Sequence, residues 1–225
     1  KLVRSVAWQR GGILLFRMSD NNAAQWIQAL AGSIQDWELE KIKNEDELKD
    51  AFSKDLSFGT GGIRALMGIG PNRMNVLTIG RASQGLANYL LKTGCSGETV
   101  AIACDSRIHS SEFSEVAASV LSANGFRVAL FPNATPTPLL SFGIRKMKCC
   151  AGVSITASHN PKEYNGFKVY GPTGDQATDA LAQAIQTEIE QVDFNEVKRT
   201  DIEGGLDNGT IFWIPESIST AYLDE

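Results

Sequence analysis

Residues 99–131, TVAIACDSRIHSSEFSEVAASVLSANGFRVALF, decide the fold. TVAIAC is a short apolar run that gives way to polar DSR, the pattern of a buried strand delivering Asp105 and Arg107 to a loop. SSEFSEVAASVLSANG then places Phe113, Val116, Ala117, Val120 and Leu121 on one helical stripe. Its serines offer N-caps and Gly125 an end. FRVALF returns as a strand. Strand, helix and strand in this order predict an α/β layer with a substantially parallel sheet.

The alternation extends outward in both directions. Residues 132–138, PNATPTP, form a stiff loop, because three prolines fix φ and remove backbone donors. Residues 139–147 suit a helix, and CCAGVSIT, residues 149–156, the next strand. Upstream, residues 80–94 read as a helix with Leu86, Tyr89 and Leu90 on one face and Gly94 as its terminator. Residues 23–53 carry Trp26, Ile27, Leu30, Ile34 and Trp37 at helical spacing, a helical lead-in whose aromatics pack rather than bind. Downstream, YNGFKVYG (164–171) continues as a strand and residues 178–192 as an amphipathic helix. Residues 193–210, rich in Asp, Asn and Gly, suit a domain boundary.

Composition narrows the function classes. The 225 residues are 43% hydrophobic and 21% charged, within the range of globular proteins with a core of their own. A net charge of −5 and a pI near 5.2 speak against nucleic-acid binding, which depends on Lys and Arg neutralising phosphates. Cys95, Cys104, Cys149 and Cys150 show no CxxC spacing, so buried reduced thiols are expected rather than zinc ligands or disulfides. A reducing cytoplasm fits. The apolar patch at residues 11–16, GGILLF, is far below the roughly 18 residues of a membrane span, so no membrane partner is expected. Met18 is the expected natural start, with residues 1–17 an upstream or non-native extension.

The chemistry concentrates in residues 151–170, AGVSITASHNPKEYNGFKVY. An apolar strand hands Ser158 to a polar loop turned by Asn160-Pro161, with the His159 imidazole beside it and the Lys168 ammonium ten residues on. A second segment, FGTGGIRALMGIGPNRMN (58–75), supplies glycines that permit backbone conformations barred to other residues, and their amides can face an anion. In open α/β sheets ligands gather beyond the carboxyl ends of the strands, where Ser158 falls.

TASHNP followed by YNGFK, together with FGTGGIR and NRMN, resembles the active-site segments of the α-D-phosphohexomutase family, which includes phosphoglucomutases and phosphomannomutases. The resemblance implies a three-layer α/β/α domain with a mixed, substantially parallel sheet. It implies that Ser158 is carried as phosphoserine and exchanges phosphate between sugar 1-phosphate and 6-phosphate, glucose foremost, through a bisphosphate intermediate. By position, Lys168 is the proton-transferring lysine, His159 belongs to the catalytic loop, and Arg64 is the arginine reaching the active site. Implied cofactors are Mg2+, ligated in part by the Ser158 phosphate, and glucose 1,6-bisphosphate; the implied partner is a hexose phosphate. Ala65 departs from the family, where many members carry glycine after the arginine, and would be strained if the position required positive φ.

The resemblance covers only the first of four family domains. It sets the expected divisions at 1–17, an extension; 18–206, domain I with its lead-in; and 207–225, a linker and the start of domain II. The family's Asp-rich metal loop and its C-terminal domains have no counterpart, so the isolated chain is expected to turn over little. DSR at 105–107 also resembles a family sequence, with a structural salt bridge its leading reading and substrate contact the other. The alternatives are a noncatalytic phosphosugar-binding or regulatory domain and, more weakly, a serine hydrolase, for which no Asp is placed to complete a triad.

Overall fold

The computed structural model describes Trp26, residues 44–59 and residues 61–225. The extension at 1–17, the Met18 start and the lead-in residues Ile27, Leu30, Ile34 and Trp37 lie outside the described residues. The elements in chain order are α1 (Glu45–Ala51), β1 (Ile63–Leu66), α2 (Val76–Lys92), β2 (Thr99–Cys104), α3 (Ser110–Ala123), β3 (Arg127–Leu130), α4 (Thr137–Lys146), β4 (Ala151–Ile155), β5 (Tyr164–Tyr170), α5 (Asp179–Glu190), α6 (Ile202–Asp207), β6 (Ile211–Trp213) and α7 (Glu216–Leu223), with a 3-10 turn at Phe194–Glu196.

The strands form one mixed sheet in the order β1-β5-β4-β2-β3-β6. β4, β2, β3 and β6 run parallel, and β5 is antiparallel to both β4 and β1. The break in direction has a local cause. Only the short turn at 156–163 joins β4 to β5, and so short a link allows an antiparallel return but no crossover.

The two sheet faces differ in bulk. Val100, Ile102, Val128, Leu130, Val153 and Ile155 point into one core, together with Leu86 of α2, Phe113 of α3 and Ile185 of α5. Ala101, Ala103 and Ala129 point into the other, under Leu140 and Ile144 of α4. The small side chains let α4 approach closely; a methyl at Gly152 would lie 2.3 Å from Ile144. Helices cover both faces, giving the three layers. Burial of each large side chain contributes about 1.5–3 kcal/mol, so this double core dominates the stabilising terms.

Three details differ from the sequence reading. α2 begins at Val76, four residues before Gly80, because Asn75 caps it: its side chain accepts from the Leu77 and Thr78 amides, and Thr78 returns the bond. The last Asn of NRMN is thus a helix cap. The segment 207–225 contains β6, an edge strand paired with β3 in the same sheet, and α7 packs on α4. Of the four thiols, all free, only Cys149 is fully buried; the other three are half-buried. Burial pushes the Cys149 thiol up to about 11 and that of Cys150 to about 12, so both stay protonated. Among the described residues, no helix is long and apolar enough to cross a membrane.

Candidate active site

Ser158 stands at the carboxyl end of β4 and is exposed, in a left-handed backbone conformation with φ 56°. A non-glycine residue there costs roughly 1–2 kcal/mol, so its surroundings must hold it. Two groups do so from the backbone side. The Ser158 amide donates to Thr156 Oγ1 at 3.0 Å, and the Ser158 carbonyl accepts from Arg107 at 2.7 Å.

Lys168 comes to Ser158 from β5. It sits opposite Ser154 in the β4–β5 register, and its Nζ donates to Ser158 Oγ at 2.5 Å. Although only 5% exposed, Lys168 has no carboxylate partner among the described residues. Burial, reinforced by the positive charge of Arg64 and opposed by Asp105, holds its ammonium below the usual lysine range. A lysine of lowered pKa touching a hydroxyl can both give and take a proton there.

Arg64 reaches the same face from β1, where it lies opposite Gly166, two residues from Lys168 along β5. It is exposed, and no hydrogen bond or ion pair of its side chain is found among the described residues. Gly62, at φ 78°, brings this segment against β5: a methyl there would sit 2.3 Å from the Phe167 carbonyl. Only glycine fits. The strain conceivable at Ala65 is absent, since Ala65 lies within β1 opposite Asn165 and outside the positive-φ residues.

His159 is exposed, and among the described residues it makes no hydrogen bond to Ser158. The side chain that contacts Ser158 Oγ is Lys168, so the adjacent Ser158 and His159 do not form the serine–histidine pair of a Ser-His-Asp triad. The structure thus brings together Ser158, Lys168 and Arg64 and leaves His159 at the rim.

Asp105 and Arg107 prove to be more than a salt bridge. The pair exists, Arg107 Nε lying 3.2 Å from Asp105 Oδ2. Asp105 also accepts from Thr156 Oγ1 at 2.5 Å, Ser110 Oγ at 2.7 Å and the Arg107 amide at 2.9 Å. Sequence reasoning missed Thr156, Ser110 and Asn165, whose Nδ2 donates to Ser110 Oγ at 3.0 Å. The TASHNP and YNG strings contain two of these three, but nothing in them names a partner.

A cleft of about 250 Å3 opens beside Asp105 and Arg107, and Trp213 lines it; Ser158, Lys168 and Arg64 do not. The magnesium ion implied by the resemblance finds no ligand set here. Among the described residues no group of three or more His, Cys, Asp or Glu side chains could hold a metal, and both Asp105 oxygens are already engaged.

Comparison with known proteins converges on one family. Residues 55–196 match the model of the phosphoglucomutase/phosphomannomutase α/β/α domain I. A phosphoglucomutase of Staphylococcus saprophyticus is 34% identical over 203 residues, covering 90% of this chain and 36% of its own. A phosphopentomutase of Pongo abelii is 39% identical over 189 residues, covering 76% and 30%. The crystal structure of a candidate phosphomannomutase from Thermus thermophilus superposes with a TM-score of 0.56 at 32% identity, covering 60% of this chain and 30% of that one. The chain spans about a third of the length of the curated relatives it matches. On its fold, its serine loop and these matches, the chain belongs to the phosphoglucomutase/phosphomannomutase domain I family.

Proposed function

We propose that this chain is the catalytic-serine domain of a phosphohexomutase, with Ser158 as the phosphoryl carrier, Lys168 as its proton partner, Arg64 as a phosphate-binding cation and His159 at the edge of the loop. The observation that carries the reading is the 2.5 Å contact between a buried lysine and an exposed, conformationally strained serine. In the forward half-reaction the P–Oγ bond breaks and a P–O bond to the sugar hydroxyl forms. Oγ takes up a proton from Lys168, and the sugar hydroxyl releases one to water. In the return half-reaction the other phosphate of the bisphosphate passes to Oγ, whose proton goes back to Lys168. The sugar oxygen it leaves takes a proton from water.

Charge on the transferring group, about −1.5 to −2 on a phosphate ester, makes the Arg64 guanidinium, unpaired among the described residues, its natural partner. Glucose phosphate is the leading substrate. Relatives named phosphopentomutase make pentose phosphate the second. Because the relatives are much longer, the reading assigns domain I to residues 18–206 and sugar and metal contacts to sequence beyond this unit, with a cytoplasmic location.

The test measures conversion of glucose 1-phosphate and ribose 1-phosphate, with Mg2+ and the matching bisphosphate. It uses this chain and a longer protein containing it, each as wild type and Ser158→Ala. Conversion by the longer wild type that disappears in Ser158→Ala supports the reading, and the faster sugar names the substrate. Conversion that survives Ser158→Ala, or none with either sugar, sinks it.

A further inference from the structure

We infer that Arg107 is the positioning residue for the nucleophile loop, a clamp that sets the backbone of Ser158 without touching substrate. The inference rests on the phosphotransfer reading for its catalytic consequence, while its geometry stands alone. Arg107 Nη1 donates to the carbonyls of Pro161 at 2.8 Å and Tyr164 at 3.1 Å, and Nη2 to those of Ser158 at 2.7 Å and Asn160 at 2.6 Å. Nε faces Asp105. A guanidinium has five N–H groups, one on Nε and two on each terminal nitrogen. Here the two terminal nitrogens donate to four carbonyls, their full complement of N–H groups, and Nε pairs with a carboxylate at 3.2 Å, so the terminal fork keeps no donor for a phosphate.

That engagement separates the two readings of DSR. An arginine that binds substrate keeps terminal donors free, as Arg64 does among the described residues; Arg107 has spent all four of its own on one loop. Four carbonyls spread over residues 158–164 cannot face a single cation unless the loop curls around it, and this curl coincides with the left-handed turn at Ser158. The amide side of the same turn is held through Thr156 to Asp105, the carboxylate that also orients Arg107. One Asp–Arg pair on the β2–α3 loop therefore fixes both the N–H and the C=O of the nucleophile, and Oγ is left to Lys168. Lysine can replace it only in part: an ammonium has three donors and no planar fork.

The test uses Arg107→Ala and Arg107→Lys in the 225-residue chain and in a longer protein that contains it. Two readouts are taken. Hydrogen exchange reads the amides of Ser158, Asn160 and Tyr164, which are bonded within the loop; phosphate transfer from glucose 1,6-bisphosphate reads the rate constant at Ser158 and the half-saturating bisphosphate concentration. The clamp predicts exchange about tenfold faster at those amides, with β2 and β4 unchanged. It predicts a rate about 100-fold lower at an unchanged half-saturating concentration, since a misplacement near 1 Å costs that much. Arg107→Lys falls between, and guanidinium ion below denaturing concentration partly restores Arg107→Ala.

A raised half-saturating concentration at a wild-type rate would overturn the clamp in favour of substrate contact. Wild-type loop protection in a folded variant would overturn it as well. If Arg107→Ala fails to fold, Arg107→Lys carries both readouts. If wild-type Ser158 takes no phosphate in the longer protein, the phosphotransfer reading fails and the exchange measurement still decides the clamp.

Discussion

The loop that follows β4 is held by side chains borrowed from the loop after β2, whereas the loop that follows β3 is held by its own prolines and a backbone bond to the end of β2. Both leave the same edge of the sheet. Residues 156–163 depend on Asp105, Arg107 and Thr156, and residues 131–136 on Pro132 and Pro136, with Thr135 bonded to the Cys104 carbonyl and to its neighbour Asn133. A polar network can hold a serine in a left-handed conformation that prolines, which fix φ near −65°, cannot impose. The same network is also breakable at single side chains. The chain has placed its candidate nucleophile where geometry is set by long-range bonds, and has left the stiff loop without a titratable residue.

The comparison can be broken most severely at Gly166. A methyl there would lie 2.4 Å from the Thr156 carbonyl and 2.7 Å from that of Ile63. Gly166→Ala therefore forces two strands apart and is expected to cost about 3 kcal/mol in a urea melt, at the upper end for overpacking. Asp105→Ala removes the hub of the polar network. With its side chain 27% exposed, the expected cost is about 2 kcal/mol, below that of breaking a fully buried pair. Thr156→Val deletes one relay hydroxyl and is expected to cost about 1 kcal/mol, and it should also slow phosphorylation of Ser158. Pro136→Ala, by contrast, leaves every hydrogen bond in place and frees only the unfolded chain. A loss of about 0.5 kcal/mol is expected, with no change in phosphate transfer. A Pro136→Ala loss as large as that of Asp105→Ala would erase the distinction between the loops.

A finer test uses pH. Burial and Arg64 lower the Lys168 pKa in the folded protein, so in the alkaline range below the ordinary lysine value the unfolded chain binds more protons than the folded one. Stability from this group therefore rises with pH across that window. Lys168→Met has no such proton to shed, and its stability curve should rise less steeply over the same range. A steeper rise in the variant would contradict the lowered pKa.

How far the sequence carried the reading depended on whether each feature was local. β2, α3, β3, α4 and β4 were legible because apolar spacing changes from runs to a 3.6-residue period and back within a few dozen residues. β1 was not. Ile63–Leu66 looks like the tail of a glycine-rich loop, and it becomes a strand only because β5, far along the chain, pairs with it. Ser158, Lys168 and Arg64 were legible from their motifs, and the fold does bring them together. The work of Arg107 was hidden for a physical reason. Its acceptors are backbone carbonyls, which every residue carries, so no side-chain pattern in 158–164 announces the partner.

The most direct measurement is intact-mass and peptide mass spectrometry after incubation with glucose 1,6-bisphosphate and Mg2+, on this chain and on a longer protein containing it. The account predicts one added phosphate in the longer protein, mapped to Ser158 and absent in Ser158→Ala. A phosphate mapped to another residue, or none at all in a longer protein that is folded, would contradict it.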